Sequence, residues 1–204
     1  MKKIIPRKFW TEEEETEISG LSRNEFLQKL RKFGEEQNIP NISPKGEEVL
    51  KFFLGLKKPK KVLEIGCANG YSSCVIASEI EKFSGKLLTG DVSEPSLESA
   101  KINAQMMNLK NIEFRFGNAL EVFASETEKF DFIFIDGQKS WTHKFFAFAK
   151  TIISEKGIII VDDTQKFPDK MKSFHNMIAR EKDDWNFFAI PDSEDDAMMV
   201  FSKK

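Results

Sequence analysis

Between residues 61 and 182 the chain alternates strand-length apolar runs with stretches of helical periodicity. The runs are KVLEIG (61–66), KLLTGD (86–91), NIEFRF (111–116), FDFIFID (130–136) and GIIIVD (157–162). The spacing predicts helices over 71–82, 95–107, 119–125, 140–153 and 167–182, with Pro95 well placed for the first turn of its helix. Strands joined through helices run parallel, and a parallel sheet must be covered on both faces. NFFAI (186–190) and AMMVFS (197–202) lie too close together for a crossover helix and should pair as an antiparallel hairpin. The expected fold is therefore α/β: a doubly wound, mainly parallel, seven-stranded sheet closed by a C-terminal antiparallel hairpin.

Ahead of this pattern the chain is less regular. Residues 1–20 are charged and aperiodic and read as an extended arm. Ser22 and Glu25 form an S-x-x-E capping box before a helix whose apolar face is Phe26, Leu27, Leu30 and Phe33. Residues 38–46, punctuated by Pro40 and Pro44, read as a loop, and a short helix follows over 47–56. An N-terminal arm and helix (1–37) thus precede one domain (38–204), and 204 residues suffice for a full core.

Ligands of such sheets bind beyond the carboxyl ends of the strands, near the switch point in strand order. At those ends the sequence places Glu64-Ile65-Gly66, Asp91, Gly117-Asn118, Asp136 and Asp162-Asp163. In EIGCANGYSS (64–73) a strand runs through a glycine turn into a helix, whose N-terminus offers free N–H groups. Position 68 is Ala and no Lys-Ser/Thr pair follows, so this is neither the G-x-G-x-x-G of a dinucleotide fold nor a P-loop. Asp91, closing the next strand, can accept the ribose hydroxyls of a nucleoside, or else cap the helix that begins near Pro95. Lys139 follows Asp136 by three residues, at a helix start where the dipole disfavours a cation. Asp162 and Asp163 end the fifth strand, where Asp163 either points into the cleft or turns outward to cap the next helix.

These motifs in this order resemble the small-molecule O-methyltransferases of the catechol and caffeoyl-CoA type. The stretches that carry the resemblance are NISPKGEEVL, KKVLEIGCANGYSS, LLTGDVSE, GNALEVF, FDFIFIDGQKS and KGIIIVDD, spread over roughly residues 38–204. The resemblance implies a class I, Rossmann-like methyltransferase that uses S-adenosylmethionine. Glu64 and Gly66 would approach the methionine part of the cofactor, with Ile42, Ser72 and Asp136 lining the same pocket. Asp91 would hold the ribose, and Asn118 and Ala119 the adenine edge. Asp136, Asp162 and Asp163 would ligate a divalent cation, Mg²⁺ or Ca²⁺, and Lys139 would take the proton of an acceptor hydroxyl. The family usually has Asp-Asn where this chain has Asp162-Asp163. The loop after that pair is short, so the acceptor site should be open, or completed by the arm or by a second subunit. The resemblance also suggests a homodimer.

Composition bounds the alternatives. A net charge of -2 gives no global field for nucleic acid or an anionic membrane. The one local basic cluster, Lys57, Lys58, Lys60 and Lys61, supports a rival reading as a methyltransferase of tRNA nucleosides. Further rivals are a metal-independent enzyme of the same fold and a non-catalytic nucleotide-binding protein. Two cysteines and two histidines make neither a disulfide framework nor a zinc site. The start lacks the apolar region of a signal peptide, and no run nears the ~18 apolar residues of a membrane span. A cytoplasmic enzyme acting on a small-molecule hydroxyl is expected. Twenty phenylalanines against one tyrosine point to core packing.

Overall fold

The seven expected strands form one sheet. In the computed structural model, which describes residues 10–204, they are β1 (Lys61–Ile65), β2 (Lys86–Asp91), β3 (Ile112–Phe116), β4 (Phe130–Ile135), β5 (Ile153–Val161), β6 (Trp185–Pro191) and β7 (Ala197–Lys203). Their order is β3-β2-β1-β4-β5-β7-β6. The first five pair in parallel, β7 runs antiparallel to β5, and β6 pairs antiparallel with β7 at the edge. Strand order reverses between β1 and β4, so the cleft above their carboxyl ends is the place for a ligand.

The helices are α1 (Glu12–Ile18), α2 (Arg23–Gln37), α3 (Pro44–Lys57), α4 (Tyr71–Glu81), α5 (Glu94–Met106), α6 (Ala119–Val122), α7 (Thr142–Ile152) and α8 (Pro168–Arg180), with a 3-10 turn at Lys139–Trp141. Alternation along the strands splits the core into two layers. Val62, Phe134, Ile160 and Val200 pack under α2, α3 and α4. Leu63, Ile133, Val161 and Phe201 pack under α7 and α8. Phenylalanines of the second layer pack on one another: Phe146 meets Phe174 edge-on at 5.5 Å and Phe201 at 4.7 Å. Burying each such ring is worth about 1.5–3 kcal/mol.

Three sequence expectations need correction. The arm over 1–20 is not extended where it is described: Thr11 and Glu14 form a capping box for α1, and the Glu12–Glu15 run lies in its first turn, where the helix dipole favours negative charge. Residues 1–9 of that arm lie outside the described residues. Pro44 does not break a loop but opens α3, behind the N-cap Ser43. Finally, β5 starts at Ile153 rather than 157, because the ladder begins at Phe130↔Ile153 and resumes, after a bulge, at Phe132↔Ile158.

Two glycines set the mouth of the cleft. Gly66 has φ 93°, and a Cβ there would meet the Asp136 carbonyl oxygen at 2.7 Å. Gly70 has φ 82°, and a Cβ would meet the Ala100 Cα at 2.7 Å. The turn after β1 therefore needs glycine for close approach to β4 and α5 as well as for any ligand.

Candidate active site

Two adjoining cavities open above the switch point and share Gly66, Asp91, Gly137 and Gln138 as a common wall. The first, of about 220 Å³, is a mostly apolar slot lined by Ile65, Val92, Trp141 and Phe145 together with Asn118 and Ala119. The second, of about 500 Å³, is the more polar of the two and takes in Ile42, Ser72, Asp136, Lys139, Asp162 and Asp163. An apolar slot joined to a polar chamber suits a ligand with a flat base at one end and charged groups at the other.

Asp91 ends β2 at the junction. Its Oδ2 accepts the Ala68 N–H at 3.1 Å and its Oδ1 accepts the Ser93 N–H at 2.8 Å, so backbone groups fix the carboxylate toward both cavities. It does not cap α5: Ser93 does. Asn118 is the N-cap of α6, its Oδ1 accepting from Leu120 N–H at 3.1 Å. Ala119 beside it is nearly buried. Ile42 and Ser72, also nearly buried, line the polar cavity.

Glu64 is the one expected site residue that lines neither cavity. It is fully buried beneath the glycine turn, where Ser73 and Thr89 donate to its Oε2 while Oε1 has no partner. Desolvation pushes its carboxyl up to about 7, against the smaller downward pull of the neighbouring hydroxyls.

Asp136, Asp162 and Asp163 do converge: one oxygen from each lies within 4.8 Å of the others. Asp163 turns inward rather than capping α8, whose N-cap is Phe167 with no side-chain cap bond. Its backbone is left-handed, φ 54°, a conformation that costs roughly 1–2 kcal/mol outside glycine. Lys139 supplies the countercharge, 2.5 Å from Asp136 and 2.6 Å from Asp163, with its side chain 13% exposed. Burial alone would lower the Lys139 pKa, yet the three carboxylates outweigh it and the net shift is upward, so it is held as ammonium. Asp162 is buried with Oδ1 unpartnered, and desolvation together with the Asp136 charge raises its pKa. An orphaned oxygen among carboxylates already gathered round one cation fits a hard divalent ion chemically.

Sequence reasoning missed the walls of the apolar slot, Val92, Gln138, Trp141 and Phe145, and it missed Asp192, Ser193 and Asp196 in the polar cavity. The slot residues carry no local motif. The hairpin aspartates stand in a stretch whose composition reads simply as a tight acidic turn.

A family profile described as a methyltransferase domain matches residues 56–201, well over half the chain. A probable cobalt-precorrin-6B C(15)-methyltransferase (decarboxylating) of Saccharolobus solfataricus is 31% identical over 131 residues, covering 64% of this chain and 65% of that protein. A catechol O-methyltransferase of Niastella koreensis is 29% identical over 128 residues, covering 60% and 57%. The matches thus span less than two thirds of either relative. Among solved structures, the O-methyltransferase from Bacillus cereus in complex with SAH superposes with a TM-score of 0.75 at 24% identity, over 88% of this chain and 91% of that one. The chain therefore belongs to the methyltransferase-domain family.

Proposed function

We propose that the protein is an S-adenosylmethionine-dependent methyltransferase that methylates a hydroxyl of a small molecule. The observation that carries this reading is the pairing of an apolar slot with a polar chamber across the fixed Asp91 carboxylate. Asp91 would take the ribose hydroxyls, the slot of Trp141, Val92 and Asn118 the adenine, and Gly66, Ser72 and Ile42 the methionine end. The cofactor supplies a methyl group on a positively charged sulfur. The chain's part is alignment and charge.

The acceptor hydroxyl must lose a proton. Lys139 as ammonium cannot take it while Asp136 and Asp163 hold it. A divalent cation on Asp136, Asp162 and Asp163 would supply charge that acidifies a nearby hydroxyl. Lys139, released from those carboxylates, would then be free to lose its own proton and act as base. The tRNA reading is weakened by the placement of its lysines. Lys57 donates to the Lys156 carbonyl and Lys61 pairs with Glu126 and Glu128, all at the amino end of β1, away from the cleft.

Two further proposals concern setting and assembly. Cys67 and Cys74 are free, buried thiols, which suits a reducing, cytoplasmic environment. A homodimer is supported by the edge strand β6, which carries no charged side chain. Among the described residues no helix is long and apolar enough to cross a membrane.

The reading is tested by calorimetry with S-adenosylhomocysteine. Micromolar affinity is expected, about -8 kcal/mol. Asp91→Ala should weaken it by about 1.5–3 kcal/mol, the value of a hydrogen bond to a charged group. Tighter binding of NAD than of S-adenosylhomocysteine would remove the basis of the assignment.

A further inference from the structure

The polar cavity carries more carboxylates than a sulfonium cofactor and a three-ligand cation require. Asp192 and Asp196, on the turn between β6 and β7, face the same space as the Asp136 cluster. Their situations differ. Asp196 is committed to the backbone: its Oδ1 accepts from the N–H groups of Gln165, Lys166 and Ala197 at 3.0, 3.2 and 2.8 Å. Asp192 is 8% exposed, its Oδ2 accepts from Ser43 Oγ at 2.9 Å, and its Oδ1 is buried with no hydrogen-bond partner. A buried carboxylate oxygen without a donor is a costly arrangement that native proteins resolve with a partner.

Among the described residues none offers it a cation. Lys139 is spent on Asp136 and Asp163. Lys166 and Lys170, which also reach the cavity, stand over the Phe167 ring at 5.9 and 5.1 Å. Neither of them, nor Asp192, forms an ion pair with another described residue. The donor must come from what the cavity binds, and with the cofactor's own ammonium assigned above to the methionine pocket of Gly66, Ser72 and Asp136, the group left for Asp192 is the acceptor's. The walls also speak against a flat aromatic acceptor, since Phe167 is the one aromatic ring among the lining residues.

Resting on the methyltransferase reading above, we propose that the acceptor is a small polyhydroxylated amine of the amino-alcohol or amino-sugar class, and that Asp192 receives its ammonium group. An ammonium brings three donors and the opposite charge, which a neutral hydroxyl cannot match. Ser43 holds the Asp192 carboxylate from the far side, and as N-cap of α3 it is itself fixed. Bound this way, the amine anchors one end of the acceptor and leaves a hydroxyl to reach the Asp136 and Lys139 side of the cavity.

The test uses three hexoses that differ mainly in charge: glucosamine, glucose and glucuronate. Each is titrated by calorimetry into the full chain saturated with S-adenosylhomocysteine. Glucosamine should bind at least about tenfold more tightly than glucose, a difference of about 1.4 kcal/mol, and glucuronate should bind most weakly. Asp192→Asn should abolish the advantage of glucosamine over glucose and leave the affinity for S-adenosylhomocysteine unchanged. Failure to bind S-adenosylhomocysteine would overturn the methyltransferase reading itself. Normal binding of it, with equal affinity for the three sugars, none for any, or preference for glucuronate, would overturn the amine proposal alone. If the Asn variant does not fold, the wild-type ranking decides.

Discussion

Glu64 illustrates at the scale of one residue what a strand-end motif can and cannot say. The sequence places a carboxylate one position from the end of β1, and the resemblance aims it at the cofactor. Period-two alternation points elsewhere: Glu64 shares a strand face with Val62, which packs into the layer under α4. The structure follows the alternation and buries the side chain against Ser73 and Thr89. The consequence is a pH dependence with a definite sign. In the unfolded chain the carboxyl titrates near 4.5, and in the folded protein near 7. Between those values the folded state keeps a proton that the unfolded state has lost, so stability is full below the lower value and falls as pH rises through the upper one. At 1.36 kcal/mol per unit this amounts to about 3 kcal/mol. Urea unfolding at pH 5 and pH 8 should show this loss in the wild type and a much smaller one in Glu64→Gln. Parallel behaviour of the two proteins would mean that Glu64 is solvated, and would return it to the list of ligand contacts.

Among the elements, the strand ends were the most legible part of the site. FDFIFID and GIIIVD each announce a buried strand by length and apolarity, and each ends on a carboxylate. A parallel sheet brings such ends together without further information. That is why Asp136, Asp162 and Asp163 stand together as strand-end residues in the sequence, as do Asp91 and Asn118 on the other side of the switch point, whereas the inward turn of Asp163 is not legible there. The connecting turns were harder to read. Lys139 was expected at a helix start, but a 3-10 turn over Lys139–Trp141 comes first, directing Lys139 back to the carboxylates and Trp141 to the wall of the slot. Four charged residues in a row concealed α1, and a bulge lengthened β5. In both cases local charge or apolarity was visible, but not the tertiary partner that decided its use. The 3-10 turn also yields a prediction. It seats an ammonium where a divalent cation would bind, so the two compete for Asp136 and Asp163. Lys139→Met should bind Mn²⁺, followed by its paramagnetic resonance signal, more tightly than the wild type. With a working acceptor, kcat should fall by about 10²–10⁴, as for loss of a positioned general base. Unchanged Mn²⁺ affinity would show that the carboxylates do not act as one site.

At the scale of the whole molecule, the doubly wound sheet and its closing hairpin followed from the order of elements, whereas assembly did not. Strand β6, WNFFAIP, forms the edge of the sheet and contains no charged side chain. Phe188 is 53% exposed beside Phe52 and Phe53 of α3, and these residues line a shallow apolar groove. Native edge strands are usually guarded by charge, proline or a bulge, and here only Pro191 at the end of the strand does so. The proposed homodimer would cover this face with a second copy. Sedimentation of the wild type at micromolar concentration should give a dimer, and Phe188→Lys should shift it to monomer without loss of S-adenosylhomocysteine affinity. A monomeric wild type would leave the groove to some other partner.

The strand order has one more consequence, which concerns synthesis rather than the finished molecule. Strand β6 is made before β7 yet sits outside it, so it has nothing to pair with until Ala197–Lys203 have emerged. Until then β5 is a bare apolar edge in a chain that is already partly folded, a state prone to aggregation. The turn bearing Asp192 closes at the same late moment, so a nascent chain would shape the apolar slot well before the Asp192 wall of the neighbouring cavity.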